Sequence, residues 1–130
     1  MIAFSGGGSV RFSMSIITVY GIPNCDTVKK ARAWLQHQGM AHGFHDYKKQ
    51  GVPLAQLDVW MHALGWEALL NRKGTTWREL DASRQAAVSD AASARALMIA
   101  QPSVIRRPVV DHPGGVLVGF DPEAWGRALA

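Results

Sequence analysis

Residues Ile16 to Tyr20 form a short β-branched and aromatic run, Ile-Ile-Thr-Val-Tyr, the pattern of a strand buried on both faces in the middle of a sheet. Gly21 and Pro23 end it. From Asn24 the period becomes helical: Val28, Ala31 and Leu35 recur at i, i+3 and i+7 while Lys29, Lys30 and Arg32 fall on other faces, so one helix is expected to about Gln38, with Gly39 placed to stop it. A second short strand is expected at His42 to Tyr47, and the intervening helix is long enough for a parallel crossover. The middle of the chain reads as helical. Pro53 opens a helix carrying Leu54, Leu57, Met61 and Leu64, Gly65 lies beyond its end, and Trp66 to Leu70 makes a further turn before the Gly-centred loop of "NRKGTTWREL". A single helix is expected from about Ser83 to Ala100, with Ala94, Leu97 and Met98 on one face and Pro102 beyond it. Two β-rich runs, "RPVVD" and "GVLVGF", flank "HPGG" as a hairpin, and a closing helix starts near Asp121 or Pro122 and carries Trp125 and Leu129.

The element order is therefore β-α-β, a helical insert, β-β and α. Composition adds bounds to it. With 130 residues, 48% hydrophobic and 18% charged, the chain suits one compact soluble domain, since two would leave each core small. "SGGGS" at Ser5 to Ser9 is linker composition, so residues 1–14 are expected to be a flexible extension and residues 15–130 the domain. The net charge of +4 favours anionic partners, but the basic residues never gather into a block, and no aromatic-and-basic strand platform of the nucleic-acid type appears. No run approaches a signal-peptide core or a membrane span, so neither nucleic acid nor membrane is expected as a partner. The five histidines offer no zinc spacing and read as surface or loop residues; no metal is expected. The tryptophans read as packing residues, with Trp34, Trp60 and Trp125 in helices and Trp66 and Trp77 beside them.

The one cysteine changes the picture most. It makes an intramolecular disulfide impossible, which points to a reducing, cytoplasmic home. Cys25 also falls at the turn between the first strand and the first helix, where unpaired amides carry roughly half a positive charge and favour a thiolate. The blander reading is a small core hydrophobe, which composition alone favours. The polar turn Pro-Asn-Cys-Asp-Thr is a poor place to bury one, and position reverses the preference. Val28 occupies the place where a dithiol motif needs its second cysteine, so any disulfide must form with another molecule. Arg32 stands one residue too far on for a phosphatase-type loop, which on a helix turns its guanidinium about 100° away. Asn24 or Asp26 is a candidate cap for the helix, and Thr27 a candidate hydrogen-bond donor to the thiolate, with capping the simpler role for all three.

A second feature is "PSVIRRPVVD". Arg106 and Arg107 precede Pro108 at the start of a strand, a setting in which cis peptide bonds occur and the backbone of Arg107 can turn outward to pair with an extended peptide. By themselves the two arginines read as an ordinary solvated pair.

"ITVYGIPNCDTVKKARAWL", "LLNRKGTTWREL", "PSVIRRPVV" and "VLVGFDPEAW" together resemble, in order and spacing, the arsenate reductase (ArsC-like) family of the thioredoxin-fold superfamily, most closely its YffB-like branch of glutathione-dependent thiol reductases. The resemblance covers about Ser15 to Ala130. It implies an α/β, thioredoxin-like fold with a four-stranded mixed sheet and an α-helical insertion between strands 2 and 3, in agreement with the element order. It implies Cys25 as nucleophile, Arg107 and Arg72 as active-site arginines and Pro108 as the family's cis-proline. The family's third arginine is missing, since the expected place reads "VLVGFDPE" with Phe120 and Asp121. Losing one oxyanion contact and gaining a carboxylate should weaken binding of a multiply charged anion.

The expected function is a glutathione-dependent thiol/disulfide reductase with a single nucleophilic cysteine. Glutathione serves as co-substrate, no cofactor is bound, and the other partner is a small-molecule or protein disulfide. Arg72, Arg107 and either Lys29 or Arg106 would pair with glutathione carboxylates, the backbone before Pro108 with its Cys-Gly portion, and a monomer is expected. The alternatives are a redox-sensitive protein-binding module, related to the family's RNA-polymerase-binding regulators, and an arsenate reductase.

Overall fold

The computed structural model describes residues 16–129; the glycine-rich extension expected over residues 1–14 lies outside them. The described residues form two compact units, one made of residues 16–46 with 107–129 and the other of residues 47–106.

The first unit is built on a four-stranded mixed sheet of order β2-β1-β3-β4, with β1 at Thr18–Gly21, β2 at Gly43–Asp46, β3 at Val109–His112 and β4 at Gly115–Val118. β1 runs parallel to β2 and antiparallel to β3, and β3 and β4 form the expected hairpin. Register aligns Phe44, Val19, Val110 and Leu117 across the sheet. Because side chains alternate along a strand, these four share one face. Val19 and Val110 pack there with Ala31 and Leu35 of α1 (Asp26–His37) and Trp125 of α8 (Pro122–Leu129). Each fully buried aliphatic side chain in this layer contributes about 1.5–3 kcal/mol of apolar burial. Trp34, Phe120 and Trp125 meet edge-to-face at 4.9–6.2 Å, and Trp125 Nε1 donates to Gly119 O at 3.1 Å, which pins α8 to the end of β4.

Helix α1 ends as the sequence indicates. Gly39 takes φ 73°, its N–H donates to Gln36 O, and Met40 N–H reaches back to Leu35 O, so orphan carbonyls are satisfied and Met40 is delivered to the core.

The second unit is helical: α2 Tyr47–Gln50, α3 Leu54–Leu64, α4 Trp66–Leu69, α5 Thr75–Arg78, α6 Ala82–Ala86, α7 Ala91–Ala100 and a 3-10 turn at Pro102–Val104. Its buried residues include Leu57, Trp60, Leu69, Ala94, Leu97, Met98 and Ile105. The continuous helix expected over Ser83 to Ala100 is instead two helices. Asp90 accepts from Ser93 N–H at 2.8 Å while Ser93 Oγ accepts from Asp90 N–H at 3.1 Å, a reciprocal cap that starts α7 afresh. The chain follows the order β-α-β, helical insert, β-β, α, which is the thioredoxin-like layout with the insertion between β2 and β3. All five tryptophans lie in helices, Trp66 and Trp77 included. No described helix is long and apolar enough to cross a membrane.

Candidate functional site

Cys25 sits at the join of β1 and α1. Its N–H donates to Ile22 O at 3.2 Å, closing the turn through Pro23 and Asn24, and its carbonyl accepts from Lys29 N–H at 3.0 Å, opening the helix. Gly21 lets strand and helix approach closely: a Cβ there would lie 2.9 Å from Val28 Cγ2. The helix begins at Asp26, two residues after the expected start, and Cys25 itself is the N-cap. Neither Asn24 nor Asp26 is the cap. Both are exposed, and the capping position belongs to Cys25.

The thiol is half-buried, and that burial, the largest single influence on it, pushes its pKa up. The Val28 amide, the Arg107 guanidinium and the Thr27 amide act the other way, and together they hold the pKa below its ordinary value. They do so by hydrogen bonding that favours the charged form, with the Arg107 charge adding to it. Thr27 contributes through its backbone amide.

Arg107 comes from the segment entering β3, and its peptide bond to the buried Pro108 is cis, so the sequence expectation of a cis-proline holds. Cys25 and Arg107 are thus brought together within the first unit. Arg72 and Arg106 fall in the second unit, where they line a cleft of about 200 Å3 with Lys73 and Asn71. Arg72 is held against Trp66 at 5.6 Å and Trp77 at 5.7 Å. Ladder-like bonds, Asn71 N to Val104 O and Arg106 N to Leu69 O, both at 2.7 Å, fix the two arms of that cleft. Among the described residues no group of three metal-ligating side chains occurs.

Two features escaped the sequence reading. Tyr20 of β1 and Asp111 of β3 interact across the sheet, and burial first, then the Asp111 charge and a hydrogen bond to it, push the Tyr20 pKa up to about 12. His45, within the strand expected at His42 to Tyr47, lies in β2, and the contact that the sequence does not show is its ring 5.1 Å from that of Tyr20. The second feature is a groove along α1, described below.

The ArsC family model matches residues 20–128 of this chain. The chain belongs to the ArsC family. A Haemophilus influenzae protein described as uncharacterized is 39% identical over 115 residues, covering 88% of this chain and all of that protein. The solved structure of a YffB (PA3664) protein shares 49% identity, with a TM-score of 0.82 over 88% of this chain and 99% of the other. An arsenate reductase (ArsC) related protein from Brucella melitensis shares 48% identity, with a TM-score of 0.70 over 88% of this chain and 95% of its own. The family and the sheet topology agree that this is an arsenate reductase-like chain of thioredoxin-like fold. Where the family resemblance places a third arginine, Phe120 completes the Trp34–Trp125 aromatic cluster, and Asp121 accepts from Glu123 N–H at 3.1 Å at the start of α8.

Proposed function

We propose that this chain is a glutathione-dependent thiol–disulfide oxidoreductase that works through Cys25 alone. The observation that carries the reading is the thiol at the head of α1, held toward its charged form by the Val28 and Thr27 amides and by Arg107. The Cys25 thiolate attacks the glutathione sulfur of a mixed disulfide, forming a Cys25–glutathione disulfide and expelling the substrate sulfur as a thiolate, which takes a proton from water. A second glutathione thiolate attacks the glutathione sulfur of that intermediate, releases Cys25 as thiolate and leaves as oxidised glutathione. Each mixed disulfide reduced consumes one free glutathione and yields one oxidised glutathione, and no second protein cysteine is needed. Arg107 lowers the cost of the Cys25 thiolate both as attacking group and as leaving group.

The lack of a basic residue in "VLVGFDPE", where Phe120 packs against Trp125, supports a disulfide substrate over arsenate, because a multiply charged oxyanion depends on the full set of guanidinium contacts. Intact-mass measurement after incubation with oxidised glutathione tests the reading. Wild-type protein should gain one glutathionyl group that added reduced glutathione removes, and Cys25→Ser should gain none. A wild-type protein that stays unmodified would falsify the proposal.

A further inference from the structure

A groove of about 510 Å3 runs along α1 from Pro23 and Val28 to Met40 and His42, with Lys29 and Arg32 on its wall. It starts beside the Cys25 turn, because Pro23 belongs to that turn and the Val28 amide acts on the sulfur. Its lining combines the apolar Val28, Ala33 and Met40 with the positive charges of Lys29 and Arg32 and holds no acidic residue.

Arg32 is the unusual member. The guanidinium carbon lies 4.2 Å over the ring centroid of Phe44, and Nε donates to His42 Nε2 at 3.4 Å, while His42 Nδ1 faces Met40 O at 3.3 Å. The side chain is half-buried and held on its face and at Nε. Neither Arg32 nor Lys29 takes part in the ion pairs Arg95–Asp58 and Arg127–Glu123. A guanidinium fixed against an aromatic ring with no carboxylate of its own has already lost much of the side-chain entropy that binding an anion would cost.

Resting on the thiol–disulfide reading above, we propose that this groove docks an extended segment of a protein disulfide substrate and that Arg32, with Lys29, receives an acidic side chain of that segment. Spacing sets which one. Arg32 is seven residues beyond Cys25, a rise of about 10 Å along the helix, and an extended peptide covers that in about three residues. The preferred partner therefore carries Asp or Glu about three positions from its reacting cysteine. Glutathione has one residue on either side of its cysteine and so no side chain three positions away, which makes a longer polypeptide the occupant that this spacing selects.

The test uses the full chain and glutathionylated synthetic peptides with Glu, Gln or Lys three residues from the single cysteine. The rate of Cys25 exchange should be about fivefold higher for the Glu peptide than for the Gln peptide and lowest for the Lys peptide. Arg32→Gln should shrink that preference, as should raised salt, while exchange with oxidised glutathione stays at the wild-type rate. Equal rates for the Glu and Gln peptides, with oxidised glutathione still reacting, would overturn the groove and leave the Cys25 chemistry standing. Equal losses with every disulfide in Arg32→Gln would also overturn it, because Arg32 would then act on the thiol. A peptide with serine in place of cysteine keeps the groove testable if Cys25 proves inert: the Glu form should shift the NMR resonance of Arg32 Nε–H more than the Gln form, and no difference overturns the docking proposal.

Discussion

At Cys25 a half-buried position that discourages ionisation is set against two backbone amides and a guanidinium that favour it, and the second group prevails. The balance gives a direction for a substitution. Arg107→Met removes the one positive side chain acting on the sulfur, so the pH at which Cys25 alkylation reaches half its maximal rate should move upward, leaving the helix amides as the remaining stabilisers. An unchanged profile would mean that the amides alone set the acidity. Tyr20 gives the opposite case. Its folded pKa, about 12, lies above the unfolded value of 10.0, so the folded state holds a proton that the unfolded chain releases. The associated stability is fully present below the unfolded value and is lost as pH rises through the folded one. After allowance for solvent screening, the loss should be on the order of 1–2 kcal/mol. Denaturant unfolding at pH 9 and pH 11 checks this, with Tyr20→Phe expected to lack that part of the decline. The role of Cys25 was legible because it depends on neighbours in sequence: a strand, a turn, a helix start. The Tyr20–Asp111 pair was not, because it depends on the register of β1 against β3, strands separated by most of the chain.

Elements behave in the same way. The end of α1 could be read from Gly39 because a left-handed residue after a helix is a local demand, and the helix ends there. Its beginning moved from Asn24 to Asp26 because several polar residues compete for the cap and the turn through Pro23 and Asn24 decides among them. The break before α7 was hidden by an alanine-rich stretch whose composition suits one long helix, while the Asp90–Ser93 reciprocal cap stabilises a new start. How β1 meets α1 carries the site, and it rests on Gly21. Gly21→Ala would drive a methyl into the stiff, fully buried Val28, moving the first turn of α1 away from the strand, at a cost of about 1–3 kcal/mol. Val28→Ala alone leaves a void. In the double variant the two changes should offset, so that its loss of stability in urea is smaller than the sum of the single losses; strict additivity would show that the two residues do not press on each other.

For the whole molecule, the order of strands and helices was readable and the placement of charges was not. The chain's formal charge of +4 is distributed without any sequence block, yet folding collects Arg72, Lys73 and Arg106 into one cleft and Lys29 and Arg32 along another groove. Arg32 served in the sequence only to exclude a phosphatase loop; its contact with Phe44 and His42 depends on β2 lying next to β1, which no short motif encodes. The central claim is that one cysteine, alternating between thiolate and glutathione disulfide, performs the whole cycle. Steady-state reduction of a mixed disulfide of glutathione and mercaptoethanol, with both substrates varied, tests it most directly. Parallel double-reciprocal lines for the wild type, and loss of turnover in Cys25→Ser, are the predicted result. Turnover that survives Cys25→Ser, or lines that converge, would contradict it.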